Sequence, residues 1–199
     1  MKIIQPSVEI LTPLDGDYIL KFLERIGRVC YKSEDKITKS SARKFTRNLI
    51  KSGHESVIEH FNITVKVVCS RAISHQIVRH RIGAYSQESQ RYVNYEDGIE
   101  VIMPNVKHSL WESAAVWAGY YYKELIKEGA KPEEARLVLP NATATTLIVT
   151  YNLRQWRHFL RQRTSPAADP QIRRIAGMIL KEFKKQVPVI FEDIGDGVV

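Results

Sequence analysis

Apolar positions in this chain change their spacing several times, and each change marks an element. Ile3 to Leu11 alternate loosely and predict an opening strand, ended by Thr12-Pro13 and Asp15-Gly16. From Asp17 the period lengthens, placing Ile19, Leu20, Phe22, Leu23 and Ile26 on one side of a predicted helix that runs toward Cys30-Tyr31. A second helix, from about Ser41 to Ser52, puts Phe45, Leu49 and Ile50 on one face and stops at Gly53. In Phe61 to Cys69 the odd positions are apolar and the even ones mainly polar, the period of a strand with one buried face. Arg71 to Val78 then predicts a short helix with Ile73 and Ile77 inward, and Gln76 shares a face with His80 if that helix persists.

The second half repeats the alternation of strand and helix. Asn94 to Pro104 reads as loop plus a short strand from Ile99 to Ile102. Ser109 to Glu128 predicts a long helix with Trp111, Ala115, Trp117, Ala118, Tyr121 and Leu125 as its apolar positions, stopped by Gly129. Pro132 opens another helix with Glu133 and Glu134 near its N-terminus, ending before Pro140. Thr143 to Tyr151 is β-branched enough for a buried strand, and Asn152 is placed to cap the helix that follows. In that helix Leu153, Trp156, Phe159 and Leu160 form the apolar stripe. The polar face is assigned Arg154 and His158, with Arg157 and Arg161 on a neighbouring line and Arg163 at the exit. A last helix runs from Pro170 to Gln186.

A length of 199 residues fits a single domain, residues 1–199, with enough chain to bury a sizeable core. A hydrophobic share of 44% beside 26% charged residues excludes disorder as the default. The formal charge of +8 favours an anionic partner: nucleic acid, nucleotide, polyanionic cofactor or acidic lipid. Cys30 and Cys69 have neither zinc-clip nor disulfide-framework spacing, so a reducing cytoplasm is the expected setting. Leu137 to Leu153 is uncharged but is broken by Pro140, Asn141 and several threonines, and no membrane segment is expected.

The densest chemistry lies in Arg79-His80-Arg81 and the stretch to Tyr92, where guanidiniums, an imidazole, hydroxyls and amides crowd together without a lysine. Planar arginine suits bidentate capture of phosphate or carboxylate. Tyr85, Tyr92 and Ile82 interleave with the charges, which predicts partial burial. Six histidines lack the spacing of a zinc site, so no metal is expected. Glycine loops of the GxGxxG or GxxxxGK type are missing, so arginines and hydroxyls must hold any nucleotide. Both cysteines are expected in the core rather than as activated thiols.

Arg79-His80-Arg81, seven residues, then Ser89 resembles the signature of the flavin-dependent thymidylate synthases. Gly53 to His60, Ala135 to Pro140, and Asn152-Leu153-Arg154 through Arg163 are similar to that family in the same order, so the likeness spans roughly Val29 to Phe191. It implies an α+β fold, an antiparallel sheet packed with helices. It also implies conversion of dUMP to dTMP with methylenetetrahydrofolate as carbon donor and FAD with NADPH as reductant, without a cysteine nucleophile. By the resemblance, Ser56, Arg79, His80, Arg81, Gln87, Asn152, Arg154 and His158 contact FAD. Gln76, Ile77, Val78, Arg79, Gln87, Glu88, Ser89, Gln90, Arg91, Arg136 and Arg163 form the dUMP site, with Arg163 the catalytic residue that activates the uracil. A homotetramer is implied, with the Ser86 to Arg91 loop serving a neighbour's site. Gln87 replaces a frequent Glu, His158 a frequent Asn, and Ser165 to Pro170 lacks a histidine often found there. The rival reading is a basic nucleic-acid-binding protein, which predicts a colourless protein whose binding weakens steeply with salt.

Overall fold

Proline at position 6 divides the predicted opening strand, because it has no N–H to give to a ladder. In a computed structural model of the chain, which describes residues 1–105 and 109–195, β1 spans Lys2–Ile4 and β2 spans Ser7–Ile10. Asp15 caps α1 (Gly16–Val29) by accepting from the amides of Asp17 and Tyr18. α2 (Ser41–Lys51) ends on Gly53, whose φ of 70° is the left-handed conformation that a helix stop uses. β3 (Asn62–Ser70) buries Ile63, Val65, Val67 and Cys69, as the alternation predicts. Ser70 then caps α3 (Arg71–Ile77), which stops too early to carry His80 on the same face as Gln76.

A strand inside the arginine-rich loop, β4 (Ala84–Gln87), was not predicted. Beyond it come β5 (Glu100–Ile102), α4 (Ser109–Lys127), α5 (Pro132–Ala135) and a 3-10 turn at Arg136–Val138. The chain closes with β6 (Ala144–Asn152), α6 (Leu153–Arg163), α7 (Pro170–Gln186) and α8 (Pro188–Phe191).

Four strands pair in the order β2-β3-β6-β4. The β3–β6 ladder is antiparallel: Leu153 N donates to Phe61 O, the Thr64 and Thr150 hydroxyls meet at 2.9 Å, and Arg71 N donates to Thr143 O. β1 departs from the antiparallel expectation and pairs in parallel with β5, Lys2 opposite Glu100. Among the described residues no helix is long and apolar enough to cross a membrane.

The chain divides into two compact units. One holds Met1–Glu9, Lys66–Arg81 and Tyr85–Ile148. Its core includes Ile99, Val101 and Ala115, with Trp111, Tyr95 and Leu139 packed against them. Ala115 and Tyr122 are the buried residues of α4, whereas Trp117 and Tyr121, predicted as apolar positions of the same helix, are 57% and 54% exposed. The other unit holds Ile10–Val65, Ile82–Ala84 and Val149–Val199. Trp156 anchors it, donating from its ring nitrogen to Ile63 O at 2.9 Å and meeting the rings of Phe159 and Phe183 edge-on at 5.7 and 5.3 Å. Gly83 lies so close to β6 that a Cβ would stand 2.2 Å from the Tyr151 ring. Only glycine can follow the arginine cluster at that point.

Candidate active site

In the first unit, α3 and its exit carry one set of predicted residues. Gln76 and Val78 are half-buried, Ile77 and His80 are buried, and Arg79 is exposed with Arg81. Ile77 is a core side chain whose carbonyl accepts from His80 N, and the Tyr85 hydroxyl donates to His80 O with Ile77 O a second neighbour at 3.3 Å. This clasp fixes the exit from α3 and leaves the two flanking guanidiniums outward. Gln87 is held by its amide, donating to Ser74 Oγ at 2.9 Å and Thr145 Oγ1 at 3.3 Å. Glu88 is anchored by its backbone to Thr146 O and accepts from the Tyr95 hydroxyl. Burial, then Glu88 itself, pushes the Tyr95 phenol up from its ordinary value, so Tyr95 stays a donor.

Two predicted substrate residues far apart in sequence meet through one that was not predicted. Arg91 Nε donates to Glu133 Oε2 at 2.6 Å, and Arg136 Nε donates to Glu133 O at 3.2 Å. Ser89 joins them, its hydroxyl accepting from Arg91 N at 3.3 Å, while Gln90 is half-buried beside it. Of the interleaved side chains Tyr85 is half-buried as predicted, whereas Ile82 is 69% and Tyr92 76% exposed. Neither is carried inward, and Tyr92 instead packs under the Arg91 guanidinium at 5.3 Å.

The second unit gathers the other set around the start of α6. Asn152 caps the helix through Gln155 N at 2.8 Å. One turn apart, Arg154 and His158 point from the exposed face. Together with Glu55, Glu59, Ile82, Gln155 and Arg161 they line a cavity of about 490 Å³. Arg154 ion-pairs with Glu59 and lies 3.8 Å from Glu55. Ser56 is exposed and lines an adjoining cavity of about 400 Å³, which shares Glu55 and Arg154 with the first. Arg163, half-buried, ends the helix.

Arg157 is a correction to the predicted polar face: its side chain is 0% exposed. Both of its terminal nitrogens reach Asp193 at 2.7 Å, one of them also donates to Ile190 O, and Nε donates to Glu55 at 3.1 Å. The Arg157 hydrogen bonds hold the Asp193 carboxyl down at about 2, against an ordinary 3.8. A carboxyl with a depressed folded-state pKa stabilises at pH above its unfolded value and loses that contribution as pH falls through the folded one. The thermal midpoint is therefore expected to drop between about pH 4 and pH 2, and Asp193→Asn to flatten that part of a melting-temperature profile.

Of the two cysteines, Cys30 lines the adjoining cavity with Ser56 and Arg154, and Cys69 lines neither cavity. Burial pushes the Cys69 thiol up to about 12. Cys30 is exposed rather than in the predicted core, because it is the C-cap of α1. Among the described residues no His, Cys, Asp or Glu group could hold a metal ion. The donors present fit a phosphorylated ligand: guanidiniums, an imidazole and amides border the α6 cavity beside the carboxylates of Glu55 and Glu59 that orient its arginines, and Glu133 joins Arg91 and Arg136.

These donors sit on a mixed helix and antiparallel-sheet scaffold, and the sequence has no glycine-rich phosphate loop. The family described as thymidylate synthase complementing protein matches residues 19–189. A flavin-dependent thymidylate synthase of Geobacter sulfurreducens is 39% identical over 185 residues, covering 86% of this chain and 80% of the relative. One of Mycobacterium tuberculosis is 36% identical over 211 residues, covering 94% and 84%. The fold is shared with the crystal structure of a UMP/dUMP methylase, PolB of Streptomyces cacaoi, bound with 5-Br dUMP, at a TM-score of 0.83, 23% identity and 96% coverage of each chain. The chain belongs to the thymidylate synthase complementing protein family, that of the flavin-dependent thymidylate synthases.

Glu55, Glu59, Gln155, Arg161 and Glu133 were not among the predicted site residues. A signal for Arg157 existed: four residues after Leu153 and three before Leu160, it falls on the apolar stripe itself.

Proposed function

We propose that this chain is a flavin-dependent thymidylate synthase that converts dUMP to dTMP, with methylenetetrahydrofolate as carbon donor and NADPH as reductant. The observation that carries the reading is the family match over residues 19–189, which encloses every arginine of the two clusters. Bound FAD supplies the redox chemistry. The protein's own residues bind, orient and polarise. FAD contacts are assigned to Arg79, His80, Arg81 and Gln87, and to Ser56, Asn152, Arg154 and His158. Gln76 to Arg79, Gln87 to Arg91, Arg136 and Arg163 hold dUMP. Glu133 sets the spacing of Arg91 and Arg136, so that two guanidiniums meet one phosphate. Arg163 stabilises negative charge on the uracil ring, which raises electron density at C5, the carbon that accepts the new group. Residues 1–199 act as one catalytic domain.

The working form is a cytoplasmic homotetramer in which the Ser86 to Arg91 loop completes a neighbour's site. The exposed Trp117, Tyr120 and Tyr121 of α4, whose ring centroids lie 5.4–6.0 Å apart, support burial against a second copy. Titration of the purified protein with FAD is expected to give a bound, yellow flavoprotein of tetrameric mass by light scattering. That protein is expected to form dTMP only when dUMP, methylenetetrahydrofolate and NADPH are all present. An FAD-loaded protein that forms no dTMP overturns the assignment.

A further inference from the structure

Behind the α6 cavity, one carboxylate is shared among three guanidiniums. Glu55 Oε1 accepts from Arg157 Nε at 3.1 Å and lies 3.5 Å from Arg161, while Oε2 lies 3.8 Å from Arg154. Asp193, in the turn after α8, takes both terminal nitrogens of Arg157 and also pairs with Arg161 at 3.0 Å. The ring Glu55, Arg157, Asp193, Arg161 is closed, and Arg154 hangs from it at the cavity wall.

We propose that Asp193 is a positioning residue for FAD binding: by satisfying Arg157 and Arg161 it leaves one oxygen of Glu55 to orient Arg154 at the cavity. This deepens the reading of that cavity as the FAD site and rests on it. The physical reason is the difference in mobility between the cations. Arg157 is fully buried and cannot turn to water, so without Asp193 it must draw on the nearest remaining carboxylate, Glu55. Arg154 is exposed and turns easily, so it is the cation that loses its place, falling back on Glu59 alone. The end of the chain thereby sets the geometry of a pocket it does not line.

The neighbouring residue supplies the control. Glu192 also ties the tail down, through Arg47 at 2.8 and 3.2 Å, but its partner on α2 touches neither Glu55 nor the cavity. Full-length apo-protein is titrated with FAD by flavin fluorescence, beside melting temperatures. Wild-type protein that binds no FAD sinks the underlying functional reading, not the ring. Given wild-type binding, Asp193→Asn is expected to weaken FAD by about five-fold, the upper end for an exposed ion pair such as that of Arg154 with Glu55. Glu192→Gln is expected to stay within about two-fold. In the double variant with Glu55→Gln, the Asp193→Asn effect is expected to vanish, since both act through the same carboxylate. Wild-type affinity in folded Asp193→Asn protein, or equal weakening in Glu192→Gln, overturns the proposal. Should Asp193→Asn not fold, Arg157→Met combined with Asp193→Asn removes the buried charge and keeps the packing. In that protein Glu55 is no longer drawn away, so affinity near wild type is expected, and a loss of about five-fold overturns the proposal.

Discussion

Arg163→Ala abolishes dTMP formation, by at least about a hundred-fold in kcat, while the protein still folds and still takes up FAD. The expectation comes from the position of the residue and the reaction proposed for it. Arg163 is the last residue of α6, where its removal disturbs neither the Asn152 cap at the other end nor the stripe of Leu153, Trp156 and Leu160 that holds the helix. Carbon transfer to C5 needs a ring rich in electrons, and a fixed cation at the ring oxygen favours that form in the transition state more than in the ground state. Loss of one such preorganised donor costs about 10²–10³-fold in turnover. The check is single-turnover formation of dTMP by FAD-loaded variant and wild type. Near-normal turnover would remove Arg163 from its proposed role.

Arg157→Ala is expected to destabilise the protein by about 3–5 kcal/mol, the usual result of removing one partner from a buried pair. Ile190 O loses its side-chain donor, Asp193 loses two hydrogen bonds, and a cavity opens where a fully buried side chain stood. In a chain of this size each kcal/mol moves the thermal midpoint by about 2–4 °C. Urea midpoints for Arg157→Ala and Arg157→Met separate the charge from the packing, because methionine refills the space. Wild-type stability of the alanine protein would show that the buried pair contributes nothing net.

Helix α6 marks where sequence reasoning succeeded, and Arg157 within it where it failed. α6 was legible because Asn152 is a strong cap and its apolar residues recur at helical spacing; the bounds of α7 followed from Pro170 and the run to Gln186 in the same way. Arg157 was misplaced because residue type was weighed above periodicity, and its partner, 36 positions away, leaves no local trace. The Ala84–Gln87 strand was invisible for a related reason. Ala-Tyr-Ser-Gln has no strand pattern of its own and is extended because β6 offers it an edge. In the candidate site, the motif revealed the arginines by type. Glu133, which brings two of them together, reads in sequence only as an acid at a helix start. Interleaved Tyr92 and Ile82 suggested burial, but alternation with charge does not fix which side of a short loop faces inward.

The pairing of β3 with β6 also governs how the molecule can be made. Thr64 waits for Thr150, 86 positions later. On a ribosome moving at about 5–20 residues per second, that edge of β3 stays open for roughly 4–17 s. Over that time the unmatched, half-apolar ribbon is open to other chains, and the folded yield is expected to respond to the pace of translation.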